Sequence, residues 1–210
     1  QNQAGIFTDK TVRVALDQAV DKEMLVRNIL HSYGGVLEGP LPLDTIGTSG
    51  PSDSTNDSLT ASSTTNHAEQ AKKILLKAGW IPDKDTGVLK KTVKAKSGNV
   101  VSTLSFSISA PNIPELKEAA EFVSQSWNAI GAKTDVKLFE LSDLSQNIIR
   151  PRKYDALLFG QVIGRNPDLF AFWHSSQRND PGYNIALYAN SKVDKLLNDA
   201  RGVRNQKDQD

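Results

Sequence analysis

Apolar residues along this chain recur at two spacings, and the alternation between them sets out helices and strands in turn. Val12, Leu16, Ala19 and Val20 fall at helical intervals, so KTVRVALDQAVD is predicted as a helix opening at Thr8-Asp9. Asp21 is placed to cap a second helix, KEMLVRNIL, with Met24, Leu25 and Ile29 on its apolar face. A third helix is expected from Asn66, with Glu69 as the partner in a capping box. It carries Ala71, Ile74, Leu75 and Ala78 inward, stops at Gly79 in a left-handed cap, and folds Trp80 back onto its last turn. Asp83 to Gly98 is polar and reads as a hairpin or loop. Leu104, Phe106 and Ile108 then alternate with Thr103, Ser105 and Ser107, which is the period of a strand. Pro114 starts a helix with Leu116, Ala119, Val123, Trp127 and Ile130 inward and Gly131 at its end. Alternation returns from Thr134 to Phe139, a short helix is expected from Ser142 to Ile149, and an apolar run from Tyr154 to Phe159 predicts a buried strand.

The resulting β-α-β-α-β run is an α/β unit whose strands lie parallel with right-handed crossovers. After it come the aromatics Phe170, Phe172 and Trp173, which could form a wall for a ligand but whose spacing better suits a short helix packed on the core. A turn follows at Asp180-Pro181-Gly182, then a short strand from Tyr183 to Tyr188 and a last helix capped at Asn190-Ser191 with Val193, Leu196 and Leu197 apolar. Residues 45–66 are rich in Ser, Thr, Gly, Asp and Asn and read as a flexible surface loop. Asn56-Asp57-Ser58 within it is formally a glycosylation sequon. No internal repeat interrupts residues 1–210, which are read as one domain.

Composition mostly removes possibilities. The 25 basic and 24 acidic residues nearly cancel, so no field favours nucleic acid or an anionic membrane surface. The absence of cysteine excludes disulfides, thiol catalysis and thiolate metal sites. No apolar run is long enough to span a bilayer, and no secretory leader opens the sequence as given. His31, His67 and His174 lie on different elements and match no metalloprotease or hydrolase spacing. Gly160 to Gly164 lacks the Gly-Lys-Ser/Thr ending of a phosphate loop. No catalytic residue, metal or cofactor is expected.

In open α/β sheets, ligands sit beyond the carboxyl ends of the strands, which directs attention to residues 160–166. The same stretch carries a family resemblance. Gly160, Pro167, Asp168 and Phe170, followed by Asn184, Tyr188, Asn190, Val193, Asp194, Leu196 and Leu197, resemble the peptide-type (family 5) extracellular solute-binding proteins of ABC importers. Arg13, Ala15, Leu16, Ala19 and Asp21, the Gly39-Pro40-Leu41-Pro42 turn, and EQAKKILLKAGW extend the resemblance over nearly the whole chain.

That resemblance implies a type II periplasmic-binding-protein-like lobe, without the N-terminal lobe and the C-terminal return of complete members. It implies capture of an oligopeptide or similar small solute between two lobes and delivery to ABC permease subunits, not enzymatic turnover. It also implies an extracytoplasmic location with a lipid anchor in the full-length protein. The backbone of Gly160, Gln161, Val162 and Ile163 would face the peptide main chain. Asn184 would face the same cleft, or would serve as a turn residue after Pro181-Gly182. Some family members carry an aspartate near this loop that pairs with a peptide's free amine. Here Ile163, Gly164 and Arg165 occupy that neighbourhood, so Arg165, and Arg150 before the strand, become candidates to meet an anionic ligand. A sensing receptor of the same fold binding a non-peptide solute is the alternative, and a hydrolase the weaker rival. The isolated chain is expected to be monomeric and, holding half a site, to bind weakly.

Overall fold

The computed structural model describes residues 5–37, 39, 64–95, 98–162 and 168–202. The Ser/Thr-rich stretch, apart from the helix start at its end, lies outside them. A single 3-10 turn, Gly5–Thr8, leads into helix α1 (Lys10–Ala19), and α2 (Lys22–Asn28) follows at once. Aspartates cap both, Asp9 accepting from the Thr11 amide and Asp21 from the Met24 amide, each at 2.9 Å. Helix α3 (Thr64–Lys77) begins two residues ahead of the Asn66 expected from the capping pattern. It ends as anticipated, with Gly79 at φ 86° and the Trp80 amide bonded to the Leu75 carbonyl at 3.1 Å.

The polar stretch after Trp80 folds into an antiparallel sheet of β1 (Ile81–Pro82), β2 (Leu89–Ala95) and β3 (Gly98–Thr103). Leu89, fully buried, joins this sheet to the rest: its amide bonds to the Gly131 carbonyl and its carbonyl accepts from Leu104, both at 2.8 Å. The second sheet is parallel, with β4 (Ser105–Pro111) between β5 (Lys133–Phe139) and β6 (Ala156–Leu157). Helix α4 (Pro114–Ala129) makes the crossover from β4 to β5. Gly131 ends that crossover at φ 96°, where a Cβ would meet Leu89 Cγ at 2.8 Å, so glycine is required both for backbone and for space.

Two apolar clusters, one around Leu16, Leu75 and Leu104 and one around Ile108 and Val123, share Trp127 and Ala156 as partly buried members. Trp127 also donates its indole N–H to the Leu16 carbonyl at 2.8 Å, tying α4 to α1.

Four expectations need correction. The strand read from Tyr154 to Phe159 is only Ala156–Leu157. At its start, the Asp155 carboxylate accepts both the Ser107 amide and hydroxyl at 2.9 Å, taking the place of a main-chain partner. Between β5 and β6, the short helix is α5 (Leu141–Asp143) running into a π-helical turn, Leu144–Ile149. No strand forms from Tyr183 to Tyr188, because the Asn184 side chain bonds both the amide and the carbonyl of Tyr188 and curls the segment into a turn. The aromatics form α6 (Phe170–Trp173), half-buried against their own neighbours rather than in the core: Phe172 pairs with Tyr183 at 5.9 Å and Trp173 with Tyr188 at 6.1 Å. The last helix, α7 (Ser191–Gly202), starts where its asparagine cap predicts, with Asn190 accepting from Lys192 and Val193. It buries none of its side chains, and Leu196 is 66% exposed.

Candidate ligand-binding site

The last ladder bond of β6 runs from the Leu158 amide to the Ser109 carbonyl, at 2.9 Å. Beyond it Phe159, Gly160, Gln161 and Val162 turn out to solvent, with Val162 95% exposed. Among the described residues, nothing bonds the backbone of Gly160, Gln161 or Val162. These residues are the carboxyl-end exit of the sheet's edge strand, the place the sequence singles out. Ile163 and Arg165 lie outside the described residues.

Asn184 departs from its expected role. Its side chain is fully buried, and its amide nitrogen lies within bonding reach of the carbonyls of Trp173 (3.3 Å), His174 (3.1 Å) and Tyr188 (2.9 Å). Its oxygen accepts the Tyr188 amide at 3.0 Å. Both amide hydrogens therefore have carbonyl partners within the chain, and none remains for a ligand. Its bonds are those of the turn residue after Pro181-Gly182, the second of the two expectations. Arg150 is exposed and pairs with Asp180, its Nε 3.2 Å from Oδ1, so its described partner is a loop carboxylate.

Arg152 flanks Pro151 with Arg150 and is the second arginine that the sequence offers for the cleft, but it takes a different place. Arg152 stands at φ 59° and is buried, donating to the carbonyls of Ile149 (2.7 Å), Arg178 (3.0 Å) and Gly182 (2.6 Å). It stitches the approach to β6 onto the loop before Asn184. The Tyr154 hydroxyl adds a bond to the Ile185 carbonyl. At Gly182 this loop passes so close to residue 177 that an added Cβ would lie 2.6 Å from the Gln177 carbonyl carbon. Sequence shows an arginine beside Pro151, but hydrogen bonds to distant carbonyls leave no trace in spacing.

The far end of the loop after β6 is held by charge. Asp168 accepts from the Phe170 amide at 3.1 Å and forms a two-pronged ion pair with Arg201, whose guanidinium keeps its carboxyl below the usual carboxylate range. Asp194 is likewise lowered by the Ser175 hydroxyl and amide that it accepts.

A hollow of about 850 Å³ borders β6, lined among others by Phe7, Arg13, Tyr154, Leu157, Arg178 and Tyr188. Of the expected site residues, the five that are described, Arg150, Gly160, Gln161, Val162 and Asn184, do not line it. Among the described residues, no group of His, Asp and Glu is arranged to hold a metal ion, and no helix is long and apolar enough to cross a membrane.

Residues 1–184 match the bacterial extracellular solute-binding proteins, family 5, middle region. The chain belongs to this family. Among family 5 relatives, it is 28% identical over 210 residues to the oligopeptide-binding protein AppA of Bacillus subtilis, covering 96% of this chain and 35% of that protein. It is also 28% identical over 207 residues to heme-binding protein A of Haemophilus influenzae, covering 96% of this chain and 32% of that one. The fold agrees with that of AppA solved with a nonapeptide, at a TM-score of 0.75 and 26% identity over 99% of this chain and 39% of the other. It agrees also with Campylobacter jejuni NikZ solved with Ni(L-His), at a TM-score of 0.70 and 28% identity over 99% and 38% of the two chains. The α/β, type II periplasmic-binding-protein-like lobe expected from the sequence is thus the fold of this family 5 member. The chain spans about a third of the length of the curated relatives it matches.

Proposed function

We propose that this chain is one lobe of a receptor that captures peptides in a cleft between two lobes and hands them to an ABC permease. The observation that carries this reading is the backbone of Gly160, Gln161 and Val162, exposed beyond an edge strand and without partners among the described residues. An extended peptide offers a donor and an acceptor at each residue, and both need partners once buried. A bare strand exit supplies them without reading side chains. Ile163 completes the run in this reading, and Arg165 remains a candidate for an anionic group on the ligand. The family likeness supports the assignment, with AppA seen holding a nonapeptide.

In the same reading the full-length protein works outside the cytoplasm, tethered by a lipid anchor, and the 210-residue chain is a monomer that binds weakly by itself. A second reading, the same receptor fold taking a non-peptide solute, is favoured by relatives named for heme and solved with Ni(L-His). Native mass spectrometry of the gently purified full-length protein separates the two. A ladder of short-peptide masses is expected, whereas a single defined non-peptide mass would keep the fold and overturn the substrate.

A further inference from the structure

The carboxyl end of the parallel sheet holds more than the exit of β6. Strands β4 and β5 stay paired to Pro111 and Phe139, and the Asn112 amide then donates to the Phe139 carbonyl at 2.8 Å. Counting on from the Ser109–Leu157 pair, Phe159 and Gly160 come level with Pro111 and Asn112. Glu140 follows Phe139, two strands across from Gly160, which is roughly 10 Å at ordinary strand spacing. Its carboxylate leans toward that exit, because Asn112, just past the intervening β4, donates its side-chain amide to Oε1 at 3.1 Å.

Glu140 is exposed and stands at the N-cap of α5, yet its side chain caps no amide there. Asp9, Asp17, Asp83, Asp168 and Asp180 each pair with a lysine or arginine, whereas among the described residues no such cation pairs with Glu140. The asparagine contact holds one oxygen in place without neutralising the charge, and Oε2 has no partner among the described residues. Leu141 and Phe159, both large, apolar and exposed, lie along the same rim, so a charge shut in beside the carboxylate would be poorly screened.

We propose that Glu140 is a specificity-determining residue of the ligand site and selects peptides that carry a basic side chain. This rests on the reading that Gly160–Val162 meet a peptide, and it adds what those residues lack. Main-chain groups pair the amides and carbonyls of any sequence, whereas a fixed carboxylate reads charge. A peptide extended along the exit of β6 sends successive side chains to opposite sides, so every second one can point across the end of β4 toward Glu140. A lysine or arginine spans that gap with its apolar stem on Phe159 or Leu141 and its charged head at the carboxylate. Asn112 acts through Glu140, by fixing the direction of its carboxylate.

Isothermal titration of the full-length protein with acetylated, amidated penta-alanines decides it, each peptide carrying one lysine, glutamine or glutamate at each position in turn. At the favoured position lysine is expected to bind about tenfold more tightly than glutamine, the scale of a hydrogen bond to a charged group. Glu140→Gln should abolish that preference and leave the glutamine peptides unchanged, and Glu140→Lys should turn it toward glutamate. Asn112→Ala, which frees the carboxylate to swing, should reduce the preference about threefold, the scale of one neutral hydrogen bond. Glu69→Gln, which removes the same charge from an exposed position on α3, should keep it. A lysine preference that survives Glu140→Gln, or is absent in the parent, overturns the proposal. Unblocked penta-alanine is the remaining arm. A gain over its acetylated form that Glu140→Gln removes, with no preference for lysine, would give the carboxylate to the amino terminus and overturn selection by side chain. A parent that binds none of these peptides defeats the peptide reading itself, and the role of Glu140 with it.

Discussion

In the body of the chain Val12, Ala71, Leu75, Leu89, Leu104 and Ile130 are completely shielded from solvent, whereas among the described residues from Asp168 to Gly202 the only buried side chain is that of Asn184. The body is built by apolar burial, which is non-directional and tolerant of small errors. The C-terminal segment is built by directed bonds: the four contacts of Asn184, those from Arg152 to the Arg178 and Gly182 carbonyls, the Asp168–Arg201 fork and the Ser175–Asp194 pair. Each such bond contributes little net stability, but a missing partner leaves a buried polar atom stranded. The two regions should therefore fail differently, and the loop that leads out of the body into the polar segment sits at their border.

The largest effect is expected in the body. Leu104→Ala should cost about 2–5 kcal/mol in urea unfolding, through lost transfer energy plus the cavity left between the sheets. Second comes Asn184→Ala, at about 2 kcal/mol, since the carbonyls of Trp173, His174 and Tyr188 lose their donor. Asn184→Asp should be no better, because a carboxylate has no hydrogen to give them. Hydrogen exchange should quicken from Trp173 to Tyr188 and stay slow at Leu75 and Ile108. Uniform acceleration would show instead that the two regions unfold as one.

Acid sharpens the same contrast. Asp168 and Asp194 titrate below their ordinary 3.8 because Arg201 and Ser175 favour their charged forms. Their contribution is complete above about pH 4 and is lost as pH falls through the lowered folded values. In the body, Lys90 and Thr86 hold Asp83 down to about 2, so that link survives to lower pH. As pH falls below about 4, the indole N–H resonance of Trp173 should shift while that of Trp127, bonded to the Leu16 carbonyl, holds. The smallest effect is expected on the helix that docks by polar contacts: Leu196→Ala, at an exposed apolar position, should stay within about 0.5 kcal/mol of the parent.

This division also explains what sequence could show. Leu104, Phe106 and Ile108 announce β4 because a strand with an apolar side must alternate. Val12 and Leu16 announce α1 because a helix with one buried stripe repeats its apolar residues each turn. An apolar run has no such internal marker of its ends, so Tyr154 to Phe159 reads as a full strand although pairing stops after Leu158. Tyr183 to Tyr188 looks like a strand on composition, yet a single asparagine folds it over. Arg152 and Asn184 bond to carbonyls chosen by the tertiary fold, and nothing in their neighbours' identities marks those partners. The exit of β6 was legible because its position follows from strand direction, whereas the bonds that Arg152 and Asn184 make around it were not.

The brevity of β6 has one more consequence. As the edge of its sheet, it offers unpaired main-chain groups alongside apolar residues, the usual template on which a second copy of a protein stacks and precipitates. A template of only Ala156 and Leu157 is too short to register another strand securely. Past it the chain turns outward at Phe159 and Gly160 instead of continuing flat. The backbone that is left open to a visitor is thus kept from becoming a seed for aggregation.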